Sequence, residues 1–337
     1  MPDIADITPP DDGSQSRIDV HHHFCAPQWL EWAEGQGLAN RKALPPWARW
    51  DAAAALELMD RAGIATAVLK PMLPARYATS AQLREATDIT LRAAAEVTEA
   101  HPGRFAFHAP LFLDDPDVSR WALRRGLDEL GAVGVNVTAN YGGVYLGDPS
   151  YDPLLAELDE RSAVVDTHPH NLPGAGGGPG AVSVPGIPNF LCDFLLDTTR
   201  AALNMIHKGT LDRFPNLSVI LPHAGGFLPH IATRVQAFAG ALTPPVDPAM
   251  VRDHLLRFYY DTAGPMSPAG TLLAMASPDR ILFGSDWPAC PAEMVTDVAL
   301  PALAGDAALT SAQHRAINRD NALRLMPTLS PLTPART

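Results

Sequence analysis

Cysteine is scarce in this chain of 337 residues: Cys25, Cys192 and Cys290 are odd in number, far apart and never in a CxxC spacing. That argues against a disulfide framework and for a reducing compartment, with the cytoplasm as the expected location and all three thiols expected to be buried. Lysine is nearly absent too, confined to Lys42, Lys70 and Lys208, and the formal net charge is −12. Phosphate backbones recruit clustered Lys and Arg, so nucleic acid is disfavoured as a partner, and an anionic small substrate needs local arginines. No uninterrupted apolar run reaches the roughly 18 residues of a membrane span, so no membrane association is expected. The first sixteen residues hold Asp3, Asp6, Asp11 and Asp12 with prolines and no apolar core, the wrong chemistry for a secretion signal, and read as a loose tail.

What the chain does have is a set of apolar runs that end in metal-ligand residues. Ile18 and Val20 lead into His21, His22 and His23; in a strand, side chains at i and i+2 share a face, so His21 and His23 can chelate one ion. Three histidines are too few for a purification tag. Further on, Val164-Val165-Asp166-Thr167 ends in His168, Val219-Ile220-Leu221-Pro222 in His223, and Ile281-Leu282-Phe283-Gly284-Ser285 in Asp286. Imidazole and carboxylate are the ligands that suit zinc or another divalent first-row ion. A lone histidine after a strand is usually a structural hydrogen-bonder; four such endings together favour a metal centre.

Eight candidate strands recur, at 17–20, 64–70, 104–109, 132–137, 163–167, 217–221, 257–261 and 280–284. Helical patterns alternate with them at 51–62, where Asp51 can cap the start and Gly63 the end, and at 80–100, with Ser80 as the N-cap candidate. Others fall at 119–130, 152–161, 193–213, 228–239, 267–276 and 311–325. This alternation predicts parallel βαβ units closing into an α/β fold of the (β/α)₈ TIM-barrel type, with an inserted loop after strand one. The barrel is expected over 17–326, with tails at 1–16 and 327–337; a doubly wound open sheet is the alternative. Active sites of such barrels lie at the C-terminal ends of strands, where His21, His23, His168, His223 and Asp286 all fall.

These residues carry a resemblance to the amidohydrolase superfamily, in particular to its metal-dependent nonoxidative decarboxylases of the aminocarboxymuconate semialdehyde, γ-resorcylate and 6-methylsalicylate type. The matching pieces include Asp19-Val20-His21-His22-His23-Phe24, Met59-Asp60-Arg61-Ala62-Gly63-Ile64, His168-Pro169, His223-Ala224-Gly225-Gly226, Tyr260-Asp261-Thr262-Ala263 and Gly284-Ser285-Asp286-Trp287-Pro288. The resemblance implies a mononuclear Zn²⁺ or Mn²⁺ site held by His21, His23, His168 and Asp286, with His223 handling the proton. It also implies that Arg234 reaches the substrate carboxylate in a neighbouring subunit, hence a homodimer; a solvated helix charge is the alternative reading. The family's carboxylate-binding arginine after strand one has two candidates, Arg41 and Arg49. Lys70 ends strand two and no lysine ends strand four, so a bridging carboxylated lysine is not expected.

Phe24, Trp29, Trp32, Trp47, Trp50 and Trp287 supply apolar surface near strands one and eight that suits a planar substrate, although packing within the loop is the simpler role for many of them. Tyr141 and His108 sit at catalytic-face positions as either substrate contacts or structural hydrogen-bonders. Asp166 is placed to orient a ligand. The glycine-rich stretch after His168 is expected to be a loop near the mouth.

The expected activity is decarboxylation of a small aromatic or conjugated carboxylic acid. Protonation of the carbon bearing the carboxylate, by Asp286 or His223, precedes C–C cleavage and loss of CO₂. The alternatives are a lactonase or amidohydrolase using metal-activated water, and a barrel that binds a ligand without catalysis.

Overall fold

The computed structural model describes residues 11–45, 48–71, 73, 77–172, 184–264 and 269–329. Trp47, Ser267, most of the glycine-rich stretch after His168 and the outer parts of both tails lie outside the described residues.

All eight expected strands form, and all are parallel: β1 (Arg17–Phe24), β2 (Ile64–Pro71), β3 (Phe105–Pro110), β4 (Gly134–Thr138), β5 (Val164–His168), β6 (Ser218–Leu221), β7 (Tyr259–Asp261) and β8 (Ile281–Leu282). Each pairs with the next in order. Backbone hydrogen bonds join the two ends: Val20 N–H to the Phe283 carbonyl (3.0 Å), Asp286 N–H to that of His21 (2.9 Å) and His23 N–H to that of Trp287 (2.7 Å). The result is the (β/α)₈ barrel that the alternation predicts.

The helices depart from expectation in detail. α1 (Pro27–Gly35) lies in the segment inserted after β1. α2 (Ala52–Arg61) is capped by Asp51, whose side chain accepts from Ala54 N–H at 2.9 Å, and Gly63 leaves it at φ 64°. α3 (Ser80–Ala100) is capped by Thr79 rather than Ser80, because the Thr79 hydroxyl accepts from Gln82 N–H. α4 (Pro116–Leu123) runs on as a π-helical segment, and α5 (Asp152–Glu160) follows. The single helix expected over 193–213 is two, α6 (Asp193–His207) and α7 (Thr210–Arg213), because Gly209 turns left-handed between them at φ 59°. α8 (Leu228–Ala237) is followed by α9 (Pro248–Arg257), which the periodicity did not announce, and 311–325 is divided by a π segment, Ala316–Asp320. In place of the helix at 267–276, Ala269–Ala274 is 3₁₀. Among the described residues no helix is long and apolar enough to cross a membrane. Cys25 and Cys290 are buried as expected; Cys192 is exposed, beside the first turn of α6.

The barrel interior has two layers of opposite character. At the bottom, Ile18, Val20, Val68, Ala106, Val164, Ile220 and Leu282 pack together, plugged from below by Ala322, Met326 and Leu329. Two residues further up three of these strands the chemistry changes: Val68 gives way to Lys70, Ala106 to His108 and Val164 to Asp166, all buried. In β1 the alternation breaks. Three steps from Asp19 to His22 match two steps from Ala67 to Leu69 on β2, so a β-bulge lets both Val20 and His21 face inward while Asp19 and His22 face out. Gly284 completes the fit, since a Cβ there would lie 2.9 Å from that of His21.

Candidate active site

The strand ends bring five side chains together. Imidazole centroids are 4.9 Å apart for His21 and His23, 4.8 Å for His23 and His168, 5.5 Å for His21 and His168, and 5.1 Å for His21 and His223. Asp286 reaches into the group, with Oδ1 at 3.0 Å from His23 Nε2 and 3.4 Å from His21 Nε2, and Oδ2 at 3.6 Å from His223 Nε2. Donor atoms of His21, His23 and Asp286 all lie within 4.8 Å of one another, as do those of His21, His168 and His223.

Whether this set fits a cation turns on its lone pairs. His21 Nδ1 lies 2.8 Å from Asp261 Oδ2; an ionised carboxylate only accepts, so the proton sits on Nδ1 and Nε2 presents a lone pair to the cluster, buried and without a hydrogen bond. His168 Nδ1 donates to the Pro169 carbonyl at 2.8 Å, which frees its Nε2 in the same way. Burial holds the pKa of His168 well below the usual imidazole value, and brings that of His23 down to about 4 against the opposing pull of Asp286. Neutral His23 and His168 and the free Nε2 of His21, beside an ionised Asp286 whose pKa is held well below the carboxylate range by His223 and His23 despite burial, make a donor set that suits a divalent first-row ion.

His223 differs. Burial opposes its charging, but the hydrogen bond and charge of Asp286, with Asp261 behind, raise its pKa above the ordinary value. Its Nδ1 is buried and unpartnered, and its backbone N–H donates to Asp261 Oδ1 at 2.8 Å. Asp261 thus fixes His21 with one oxygen and the backbone of His223 with the other; burial pushes its own pKa up, but the hydrogen bond from His21 and the surrounding positive groups, Lys70 among them, together bring it down to about 2. His223, Ala224 and Asp286 all have left-handed backbone, φ 52°, 55° and 63°, a conformation that non-glycine residues adopt at a cost and that concentrates at functional sites.

The amidohydrolase family model matches residues 18–328, the barrel and both ends of the cluster. The chain belongs to the amidohydrolase family. This amidohydrolase is 30% identical over 333 residues to a 6-methylsalicylic acid decarboxylase of Aspergillus aculeatus, covering 93% of the chain and 96% of the relative. It is 31% identical over 300 residues to a gamma-resorcylate decarboxylase of Rhizobium sp. (strain MTP-10005), covering 81% and 88%. Its fold matches a crystal structure of a dihydroxybenzoic acid decarboxylase from Polaromonas sp. JS666 with bound manganese and 2-nitroresorcinol, with a TM-score of 0.74 at 24% identity over 93% of this chain and 97% of that one.

The expected substrate contacts are not part of the cluster in this amidohydrolase. Phe24 is fully buried edge-on to Trp50 at 4.9 Å, and Trp287 packs on the outward-facing His22. Tyr141 spends its hydroxyl structurally, donating to the Leu111 carbonyl (2.6 Å) and accepting from Thr138 N–H. Arg49 donates to the carbonyls of Arg41 and Leu44 within its own loop, and Arg41 lies 3.8 Å from Glu34. Arg234 is exposed on α8, stacked over Phe238. Asp166 does not touch His168; it pairs with Lys70 (2.9 Å) and His108 (3.2 Å), beneath the cluster. Sequence reasoning missed Asp261 as the partner of His21, although it too is a carboxylate closing a strand. It also missed Asp19, which accepts from the Ser285 hydroxyl (2.6 Å) and backbone (2.9 Å) and so ties β1 to the turn carrying Asp286. Phe194 was overlooked as well; its ring lies 6.2 Å from that of His168.

Proposed function

We propose that this amidohydrolase removes the carboxyl group of a hydroxybenzoate-like aromatic acid as CO₂, with one divalent ion, Zn²⁺ or Mn²⁺, held by His21, His23, His168 and Asp286. The observation that carries the reading is the convergence of the His21, His23 and His168 imidazoles and an ionised Asp286 carboxylate at the C-terminal rim of the barrel. Family membership and relatives named for decarboxylation of 6-methylsalicylic acid and gamma-resorcylate supply the reaction class.

When bound, the ion supplies positive charge that holds the substrate carboxylate and a neighbouring oxygen. The protein does the rest. Asp261 and the Pro169 carbonyl keep His21 and His168 in the tautomer that binds, and Asp286 completes the set. His223, charged beside Asp286, gives its proton to the ring carbon bearing the carboxylate. That carbon becomes tetrahedral; the bond to the carboxyl carbon then breaks, its electron pair returns to the ring and CO₂ leaves, after which His223 recovers a proton from solvent. Carboxylate and proton in, arene and CO₂ out: no oxidant is needed. Phe194 beside His168 offers a wall for a flat ring.

Exposed Arg234 beside exposed Phe238 supports a homodimer in which α8 of one copy approaches the other. Free thiols suit the cytoplasm. The test is a panel of hydroxybenzoates assayed for CO₂ after reconstitution with Zn²⁺ and Mn²⁺ separately. CO₂ equal to acid consumed is expected; acid release from lactones or esters with no CO₂ from any arene acid would replace the reading with a hydrolase.

A further inference from the structure

His21 and His168 are oriented by different devices, and the device behind His168 extends further than its first hydrogen bond. The Pro169 carbonyl that accepts from His168 Nδ1 belongs to the peptide unit whose N–H is that of His170, and that N–H donates to Asp197 Oδ2 at 2.8 Å. The peptide is trans, so its C=O and N–H point in opposite directions and the chain of groups runs imidazole, peptide, carboxylate. Asp197 lies on α6, fully buried, and it is held from its other sides: Asn140 Nδ2 donates to both oxygens (2.9 and 3.1 Å) and the Tyr145 hydroxyl to Oδ1 (2.9 Å). It therefore joins α6, the turn after β4 and the segment after His168 at one point.

We propose that Asp197 is a positioning residue for the metal ligand His168, acting through the Pro169–His170 peptide as Asp261 acts on His21 directly. A carboxylate at the N–H end polarises the peptide, strengthens its carbonyl as an acceptor and so fixes the proton of His168 on Nδ1. The same hydrogen bond stops the peptide from rotating, which would turn the carbonyl away and release the imidazole. The inference deepens the proposed metal site and depends on it for the role of His168, but the relay exists without an ion.

The experiment is run at pH 8, well above the value of about 6 to which burial pushes Asp197. Side-chain ¹⁵N NMR of the metal-free wild-type protein is expected to show His168 as the Nδ1–H tautomer, and Asp197→Asn is expected to convert it to a mixture. Mn²⁺ affinity is expected to fall about tenfold in Asp197→Asn, the lower end of what loss of a ligand's hydrogen-bond partner does. An Nε2–H tautomer in the wild type, a measurement that needs no variant, overturns the inference; so does wild-type Mn²⁺ affinity in Asp197→Asn, or an unchanged Nδ1–H tautomer of His168 in that variant. Absence of Mn²⁺ binding by the wild type counts against the metal-site reading instead, and leaves the tautomer measurement to decide the relay.

Discussion

The lower and upper layers of the barrel interior are built from neighbouring positions on shared strands and have almost no chemistry in common. The lower one is closed by aliphatic contact among Ile18, Val20, Val68, Val164, Ile220 and Leu282. Above it, Lys70, His108, Asp166, Asp261 and His21 are as deeply buried, and each is kept there by a charged or hydrogen-bonded partner. Isolated charges could not stay. The difference teaches that folding and chemistry are stacked rather than mixed: the plug gives the strands their reason to close, and the polar layer uses the closed ring as a rigid frame for ligands.

The sharpest way to break that division is at the ligands. His23→Ala or Asp286→Ala is expected to abolish bound metal and turnover together while the melting temperature of the metal-free protein stays close to wild type. Metal analysis with thermal denaturation checks this, and a collapse of the fold would show the two layers to be one. Next in size is His223→Ala, expected to lower kcat by about 10²–10⁴-fold, the usual worth of a proton donor, with metal content unchanged. Metal lost along with activity would make His223 a ligand instead. Asp261→Asn is expected to weaken metal binding by about 10–100-fold, measured by competition with a chelating dye. Below the divide the pattern should invert: Ile220→Ala is expected to cost about 2–5 kcal/mol of stability in urea titration, with one metal per chain still bound.

The sequence made the upper rim legible because ligand types at the ends of apolar runs are rare, and His21, His23, His168, His223 and Asp286 all lie where the strand pattern put them. It could not show the bulge in β1, since nothing in Val20-His21 marks an extra residue; regular alternation would have set Ile18 and Val20 on the opposite face from His21. Partners across the sheet were hidden for a similar reason: Asp261 is 240 positions from His21, and Asp166 is 58 from His108. The aromatic and arginine contacts drawn from the inserted loop failed to reach the cluster because loop side chains are satisfied within the loop, as Arg49 is on the backbone carbonyls of Arg41 and Leu44. Strand ends are set by the barrel; loop contacts are set by local hydrogen bonding that no periodicity encodes.

The smallest expected effect tests whether burial or partner charge governs the carboxylates. Asp261 and Asp197 are both fully enclosed, yet His21 beside Asp261 holds its pKa down at about 2, while Asp197, desolvated and met chiefly by the peptide N–H, Tyr145 and Asn140, is pushed up to about 6. The signs of their contributions to stability are therefore opposite. Asp261 stabilises the fold above its unfolded value near 3.8, and that contribution disappears as pH falls through about 2. For Asp197 the folded state takes up a proton that the unfolded chain has already lost between about 3.8 and 6, so its contribution is greatest below that window and declines as pH rises through it. Urea denaturation of metal-free protein at intervals across pH 4–7 is expected to show a stability difference, wild type minus Asp197→Asn, that falls as pH rises; His23 and His168, with lowered values, tilt both proteins the other way and cancel in the difference. A constant difference would mean that Asp197 is charged throughout, and that its hydrogen-bond donors, with the charge of Arg200, hold a buried anion as firmly as the groups around Asp261 do.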